Sequence, residues 1–219
     1  SKKYTIQTGG RLEKFKDNKI LLSLGAAESL KDRAQKIDFL EGKIISIDKS
    51  TNEFEILSLG HRNPQGLFFV EDDKIIINSE HGPKGGDEIN LNFINKNKEA
   101  INFGWPIASY GIEYDGTDPY KKSHKKFGFI EPFKNFSESI GISEILFMKE
   151  NTFLDGNYLI ISSLRASSIY LVKVDESFSK ILNEDRIFFS NQRIRDIEYD
   201  ENLNVLFIIF EVTPSIGIL

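Results

Sequence analysis

Short apolar runs rich in β-branched and aromatic residues recur along the chain and alternate with polar turn clusters such as D-D-K, L-D-G-N and D-E-N-L-N. This pattern is typical of β-strands separated by tight turns. The predicted strands cover residues 19–24, 43–48, 54–59, 66–70, 74–78, 144–148, 158–163, 168–174, 186–190 and 205–210. Helical signals are weak, and residues 26–39 fit either a short helix or a long connecting loop. The chain is therefore predicted to be all-β.

A two-strand unit is repeated along the sequence: an apolar strand, an acidic turn and a second apolar strand. Copies begin near residues 10, 66, 143 and 195. Their spacing of roughly 50 to 75 residues is wider than that of simple propeller repeats, and insertions between blades would explain the difference. Many short strands with turn signals fit a sandwich, a barrel or a propeller. The repeated unit favours a β-propeller with about four blades in this chain.

Two dense polar motifs flank one of these apolar units. H-R-N-P-Q-G-L occupies residues 61–67, and E-H-G-P-K-G-G-D-E-I-N-L occupies residues 80–91. Both are expected at strand ends, where turns can present polar groups around a shared opening. The guanidinium and amide of the first motif can hold a planar anion, while the carbonyls and carboxylates of the second are the ligands that calcium requires. For either motif alone, ordinary turn punctuation explains the residues equally well.

Composition narrows the classes of partner. The net charge of -5 argues against nucleic-acid and anionic-membrane binding, since both require a cationic surface. The absence of cysteine excludes thiol catalysis, cysteine-ligated metals and disulfides. No apolar run is long enough to span a membrane, and the first residues do not resemble a signal peptide. The lysine-rich run 121–126 is interpreted as a solvated loop, with His124 exposed in it.

The two motifs, followed by N-F-G-W-P-I-A-S-Y-G at residues 102–111, closely resemble the glucose/sorbosone dehydrogenase family. That family is a six-bladed β-propeller that binds pyrroloquinoline quinone (PQQ) and calcium, and it oxidises the anomeric carbon of aldoses to lactones. The resemblance runs from about Thr8 to the C-terminus. It implies one propeller domain over residues 1–219, corresponding to the C-terminal two thirds of the family domain, and a periplasmic or secreted location.

An open arc of about four blades would expose strand edges, which are a liability for sheet proteins. The family has six blades, and the final I-G-I-L resembles its closing strand, so the resemblance implies that the missing part is N-terminal. The exposed edges are expected to pair either with that N-terminal segment or with another copy of the chain.

The resemblance also assigns site residues, one position at a time. The residues implied in PQQ binding are Arg62, Asn63, His81, Asp87, Arg165, Arg193 and Arg195. The residues implied in calcium binding are Gly82 and Pro83 at a catalytic ion, and Glu88 with backbone oxygens near Phe103, Ser109 and Tyr110 at a structural ion. Arg193 and Arg195, at positions i and i+2, point to one side of a strand and can hold one anion together. Trp105 is interpreted as a packing residue.

The sequence departs from the family at the general base. The family has a histidine four positions before the arginine of its first G-R-L motif, and this position is Gln7 here. An amide cannot accept a proton near neutral pH, so the usual base is absent. General-base catalysis typically contributes roughly 10² to 10⁴-fold, and a slow enzyme is expected. Ala26 likewise replaces an acid of the family pattern.

Three functions remain open at this point. The first is a PQQ- and calcium-dependent aldose dehydrogenase, with Arg62 at the reactive face and Gln7 at the base position. The second is a non-catalytic propeller that serves as a ligand- or protein-binding module, which Gln7 favours. A hydrolase using His81 with Asp87 or Glu88 is disfavoured, because no nucleophile-elbow serine or metal-binding histidine pair accompanies them.

Overall fold

The computed structural model describes residues 8–16, 18–94, 99–151 and 154–219. The chain divides into two compact units, Ser1–Ser139 and Ile140–Leu219. Sixteen strands lie within the described ranges. They are β1 (Gly9–Lys14), β2 (Lys19–Leu24), β3 (Lys43–Asp48), β4 (Phe54–Leu59), β5 (Pro64–Val70), β6 (Ile75–Glu80), β7 (Asp87–Phe93), β8 (Ile101–Asn102), β9 (Lys134–Phe136), β10 (Ile142–Met148), β11 (Asn157–Ser163), β12 (Ser168–Val174), β13 (Ile181–Phe189), β14 (Ile194–Asp200), β15 (Val205–Phe210) and β16 (Ser215–Ile218).

The first unit contains two sheets, with strand orders β1-β2-β3-β4-β8 and β5-β6-β7-β9. Neighbouring strands are antiparallel except for the short parallel pair β4 and β8. Leu21 and Ile44 of the first sheet pack with Leu67 and Ile76 of the second in one buried cluster. Apolar residues of both sheets therefore build the core of this unit.

The second unit also contains two antiparallel sheets, with strand orders β10-β11-β12-β13 and β14-β15-β16. Buried aliphatic side chains such as Ile145, Ile161 and Ile197 form its interior. The hydroxyl of Ser143 donates a hydrogen bond of 2.7 Å to the carbonyl of Ile194, which joins the starts of β10 and β14.

The repeated two-strand unit has a direct structural counterpart. Its four copies form β1–β2, β5–β6, β10–β11 and β14–β15, the first two strands of each sheet in the described ranges. The all-β prediction is confirmed. Of the two alternatives for residues 26–39, the short helix is observed, as the 3₁₀ helix Glu28–Gln35.

Lys43, at the start of β3, fixes the end of this 3₁₀ segment. Its side chain is fully buried, and its ammonium donates to the carbonyls of Arg33 at 3.1 Å, Ala34 at 3.0 Å and Glu41 at 2.8 Å. Burial lowers the pKa of Lys43 to about 8. One cation therefore ties three backbone carbonyls to the start of β3.

Replacing Lys43 with methionine is expected to lower the free energy of unfolding by roughly 3 kcal/mol, because three buried or part-buried hydrogen bonds from a charged donor are lost. Urea denaturation measures the change. Lys49→Met, at an exposed position after the same strand, is the matched control and should stay within about 0.5 kcal/mol of the parent. Equal stability of the two variants would contradict this role for Lys43.

Candidate functional site

The two polar motifs meet at one end of the strands of the second sheet. The first motif leads into β5 and the second follows β6, and these strands pair antiparallel with Pro64 opposite Glu80. The backbone N–H of His81 donates to the carbonyl of Asn63 at 3.1 Å. The hairpin therefore places both motifs side by side, as their positions at strand ends predict.

At this end of the strands, carbonyls of the second motif hold the side chain of Arg62. Its side chain is buried, and Nη1 donates to the carbonyls of His81 at 3.2 Å and Gly82 at 2.8 Å. The guanidinium carbon lies 5.2 Å from the ring centroid of Trp105, a distance at which a cation is attracted to the ring. Arg62 is thus fixed by polar and aromatic contacts together.

Asn63 connects the same loop to the beginning of β1. Its Oδ1 accepts hydrogen bonds from the backbone N–H of Gly9 at 3.2 Å and from Nε2 of Gln65 at 3.1 Å. Gly9 has φ +62°, and a Cβ there would lie 3.0 to 3.1 Å from three backbone atoms, so only glycine fits easily. Gln7 lies outside the described residues, while the nearby Gly9 is bonded to this loop.

The glycines of the second motif close its loop tightly. A Cβ on Gly82 would lie 1.9 Å from the carbonyl oxygen of Gly86, and one on Gly86 would lie 2.6 Å from the nitrogen of Gly111. The Gly82 carbonyl accepts from Arg62, and the Pro83 carbonyl accepts from the N–H of Gly86 at 3.1 Å. Each carbonyl oxygen has a second lone pair that a cation can use. His81 is half-buried beside them.

Asp87 and Glu88 follow this loop and begin the buried strand β7. The register of β6 and β7 places Glu88 opposite Glu80. Burial raises the pKa of Glu88 well above its usual range, and repulsion from Glu80 raises it further. Strand pairing therefore places two buried carboxyl groups opposite each other, an arrangement that is unfavourable when both are ionised.

These two carboxyl groups line a small cavity of about 10 Å³, which is room for one water molecule or one ion. The other lining residues are Arg62, Gly82, Phe103, Trp105, Ala108 and Ser109. The cavity thus combines predicted ligands of both calcium ions. A more open groove of about 380 Å³, lined partly by Lys16, Lys19 and Lys74, shares no residue with it.

The segment that follows the cavity is ordered by hydrogen bonds and stacking. The Ser109 hydroxyl accepts from the N–H of Gly111 at 3.2 Å, and the Tyr110 hydroxyl donates to Glu131 at 2.9 Å. The ring of Tyr110 stacks on His124 at 5.3 Å. The expectation that His124 is exposed is wrong, since its side chain is buried at 1% exposure. Burial lowers its pKa and favours the neutral imidazole.

Trp105 packs as predicted, in a buried cluster with Ala26, Ala34 and Tyr120. Its ring also lines the acidic cavity. In the described part of the chain, its Nε1 has no hydrogen-bond partner. Trp105 is therefore both a core residue and a wall of the candidate site.

In the second unit, Arg193 and Arg195 do hold one anion together, and the chain itself supplies it. Nε of Arg193 and Nη2 of Arg195 lie 3.1 and 2.8 Å from the same oxygen of Glu211. Partial burial acts to raise the pKa of Glu211, but the hydrogen bond from Arg193 and the charge of Arg195 lower it overall. Arg165 is exposed after β11, and its backbone N–H donates to the carbonyl of Ile140 at 3.0 Å.

Sequence reasoning missed a buried polar chain behind the cavity. Ser58 Oγ lies 2.8 Å from Nε2 of His61, and Nδ1 of His61 lies 3.0 Å from Oε2 of Glu80. All three side chains are buried. Glutamate at the end of the strand I-I-I-N-S-E, which begins with three isoleucines, was the available signal, because buried carboxylates are rare without a partner.

Comparisons with known proteins identify the family of the chain. Residues 1–214 match the model of the Glucose / Sorbosone dehydrogenase family. The chain belongs to this family. It is 31% identical over 205 residues to aldose sugar dehydrogenase YliI of Escherichia coli, covering 86% of this chain and 53% of that protein. It is 26% identical over 232 residues to quinoprotein glucose dehydrogenase B of Acinetobacter calcoaceticus, covering 81% and 47%. The chain spans about half the length of these curated relatives.

Solved structures of the family show the same fold. The apo form of the soluble aldose sugar dehydrogenase of Escherichia coli has a TM-score of 0.81 and 28% identity, covering 96% of this chain and 62% of that chain. The PQQ-bound aldose sugar dehydrogenase of Streptomyces coelicolor has a TM-score of 0.69 and 20% identity, covering 97% and 60%. The predicted fold class, all-β and of the quinoprotein glucose dehydrogenase propeller type, is confirmed. None of the helices in the described ranges is long and apolar enough to cross a membrane.

Proposed function

We propose that this member of the family is a PQQ- and calcium-dependent oxidoreductase that converts aldoses to lactones at the anomeric carbon. The observation that carries the proposal is the arrangement of side chains where β5 begins and β6 ends. There Arg62 is fixed on the carbonyl of Gly82, and both residues line a cavity with two buried carboxyl groups. The name of the Escherichia coli relative and the PQQ-bound Streptomyces structure support the choice of substrate and cofactor.

The residues around the cavity fit a calcium ion. Calcium takes carboxylate and carbonyl oxygens in flexible geometries, and the cavity has the volume of a single ion. Glu88, with backbone oxygens near Phe103, Ser109 and Tyr110, would hold a structural ion there. The carbonyls of Gly82 and Pro83 would hold the catalytic ion through their second lone pairs.

The basic and amide side chains fit an anionic cofactor. By the family resemblance, we propose that Arg62, Asn63, His81 and Asp87 orient PQQ. Arg165, Arg193 and Arg195 are proposed, on the same ground, to bind its carboxylates. Arginine is suited to this role because its planar guanidinium binds carboxylates bidentately. When bound, PQQ would supply a hydride acceptor for the anomeric carbon, and calcium would supply a Lewis acid for the quinone oxygens. By the same resemblance, we propose a periplasmic or secreted location.

Dye reduction tests the proposal. The purified protein is loaded with PQQ and calcium, and dye reduction is measured with a panel of aldoses. We expect slow, aldose-dependent reduction that requires both additions. Tight PQQ binding without any reduction would favour the second function, a non-catalytic binding module. That alternative is supported by Gln7, because the family's base is absent from this position.

Calcium is expected to raise the melting temperature, and more at high pH than at low pH. Folding raises the pKa of Glu88, so the metal-free protein loses stability as pH rises from the ordinary glutamate pKa towards the raised value. Calcium binds the ionised carboxylate and removes that loss. At a calcium concentration about 100 times Kd, the gain is roughly 2.7 kcal/mol.

Circular dichroism melts with calcium or chelator, at about pH 5 and about pH 8, measure this prediction. Glu88→Gln is the control, since an amide does not titrate, and its metal-free stability should vary less with pH across this window. A calcium effect of the same size at both pH values would show that Glu88 does not bind the ion.

A further inference from the structure

Glu80 is the second carboxylate of the cavity, and the resemblance assigns it no role. It is the last residue of β6, its side chain is buried, and it lies opposite Glu88 in the register of β6 and β7. Both side chains line the same cavity of about 10 Å³. A ligand held by Glu88 in so small a space would also be in reach of Glu80.

The chain from Glu80 through His61 to Ser58 fixes the glutamate from behind. Because Nδ1 of His61 faces a carboxylate oxygen at 3.0 Å, this nitrogen donates to Glu80, and Nε2 shares a hydrogen bond of 2.8 Å with the hydroxyl of Ser58. The imidazole has no freedom to turn, since it is fully buried with its ring 5.0 Å from that of Phe103. Similar chains of hydrogen bonds orient carboxylates in metal sites.

The charges of the residues that line the cavity also favour a bound cation. Among its lining residues, Glu80 and Glu88 are acidic and Arg62 is basic, so the ionised cavity carries a net negative charge. Arg62 Nη1 is directed to the carbonyls of His81 and Gly82. Two buried carboxylates on facing strands are costly unless a positive charge pairs with them. A divalent cation between them would supply that charge.

We propose that Glu80 is a direct ligand of the cation in this cavity, together with Glu88, and that His61 and Ser58 are positioning residues for its carboxylate. This inference rests on the calcium site of the proposed function and extends its ligand set. Two carboxylates rather than one favour a doubly charged, oxygen-binding ion, because affinity rises with the number of charged ligands.

The chain contains a single tryptophan, and Trp105 lines the cavity, so terbium in place of calcium gives a direct readout. Excitation of the indole should produce terbium emission that saturates and is displaced by calcium. Glu80→Gln is expected to weaken terbium binding by roughly 10- to 100-fold. The emission lifetimes in H₂O and D₂O should show about one more coordinated water in this variant, because water replaces the lost carboxylate oxygen.

Glu131→Gln is the matched control. Its carboxylate acts on Glu88 through charge and bonds Tyr110, but it does not line the cavity. We expect less than about a threefold change in this variant. Ser58→Ala should weaken binding by about tenfold, and Ser58→Thr, which keeps the hydroxyl, should restore it.

The outcomes distinguish the existence of the cation site from the role of Glu80 as one of its ligands. If Glu88→Gln abolishes terbium binding while Glu80→Gln matches the Glu131→Gln control in affinity and coordinated water, Glu80 is not a ligand and the inference fails, although the calcium site stands. Failure of the wild-type protein to sensitise terbium would overturn both the cation site and the role of Glu80.

Discussion

Gln7→His should increase the rate of aldose-dependent dye reduction by the PQQ-loaded protein by roughly 10² to 10⁴-fold, the usual contribution of a general base. The imidazole can take the proton of the anomeric hydroxyl, which the amide cannot. The position is predicted from the resemblance, because Gln7 lies outside the described residues. The neighbouring residues support a position for residue 7 near the candidate site. The backbone N–H of Gly9 donates to Asn63, and the carbonyl of Thr8 accepts from the N–H of Gly25 at 2.9 Å.

The pH profile distinguishes a base from an indirect effect. In the Gln7→His variant, the rate should rise with pH through the ordinary histidine range, since only the neutral imidazole accepts a proton. Gln7→Asn changes the length of the side chain without providing a base and should be no faster than the parent. If the histidine variant binds PQQ as the parent does yet shows no gain in rate, position 7 is not the base position.

Arg193→Ala should weaken PQQ binding by roughly 10- to 100-fold, because it removes charged hydrogen bonds of about 1.5 to 3 kcal/mol. Arg193 already forms half of an anion site, in which Glu211 is the bound carboxylate. A cofactor carboxylate would take the same partners. Glu211→Gln should therefore strengthen PQQ binding several-fold, since the neutral amide competes less for the two arginines.

Fluorescence titration with PQQ measures both changes. Arg186→Ala is the matched control, because Arg186 is an exposed arginine of the same unit that bonds Ser168 and the carbonyl of Ala166. Its affinity should equal that of the parent. An Arg193→Ala variant that binds PQQ as tightly as the Arg186→Ala control would remove Arg193 from the site.

Much of the fold follows from local pattern. Runs such as I-I-S-I in β3 and L-F-I-I-F in β15 are β-branched and aromatic, so their type and bounds could be predicted. The strand β7 could not be predicted, because D-E-I-N-L-N begins with two acids and then alternates apolar residues with asparagines. These polar residues are nevertheless buried. In the register of β6 and β7, Glu88 lies opposite Glu80 and Asn90 lies opposite Asn78. Tertiary pairing therefore overrides the local signal.

The candidate site shows the same division. The motifs predicted Arg62 and Asn63 at a strand end, and the two-residue period of a strand predicted that Arg193 and Arg195 share an anion. The partner Glu211 and the pairing of Glu80 with Glu88 depend on strand register, which no short motif encodes. The burial of His124 was missed because the lysines around it are polar, while stacking on Tyr110 holds the ring inside.

Calorimetric titration with PQQ tests the central claim most directly. The protein is titrated once with calcium present and once after chelation. If the chain contains the proposed cofactor site, one PQQ should bind per chain with micromolar or tighter affinity when calcium is present. Binding should be much weaker after calcium is removed. Absence of binding heat across several temperatures in the calcium-loaded protein would contradict the proposal that this chain binds PQQ.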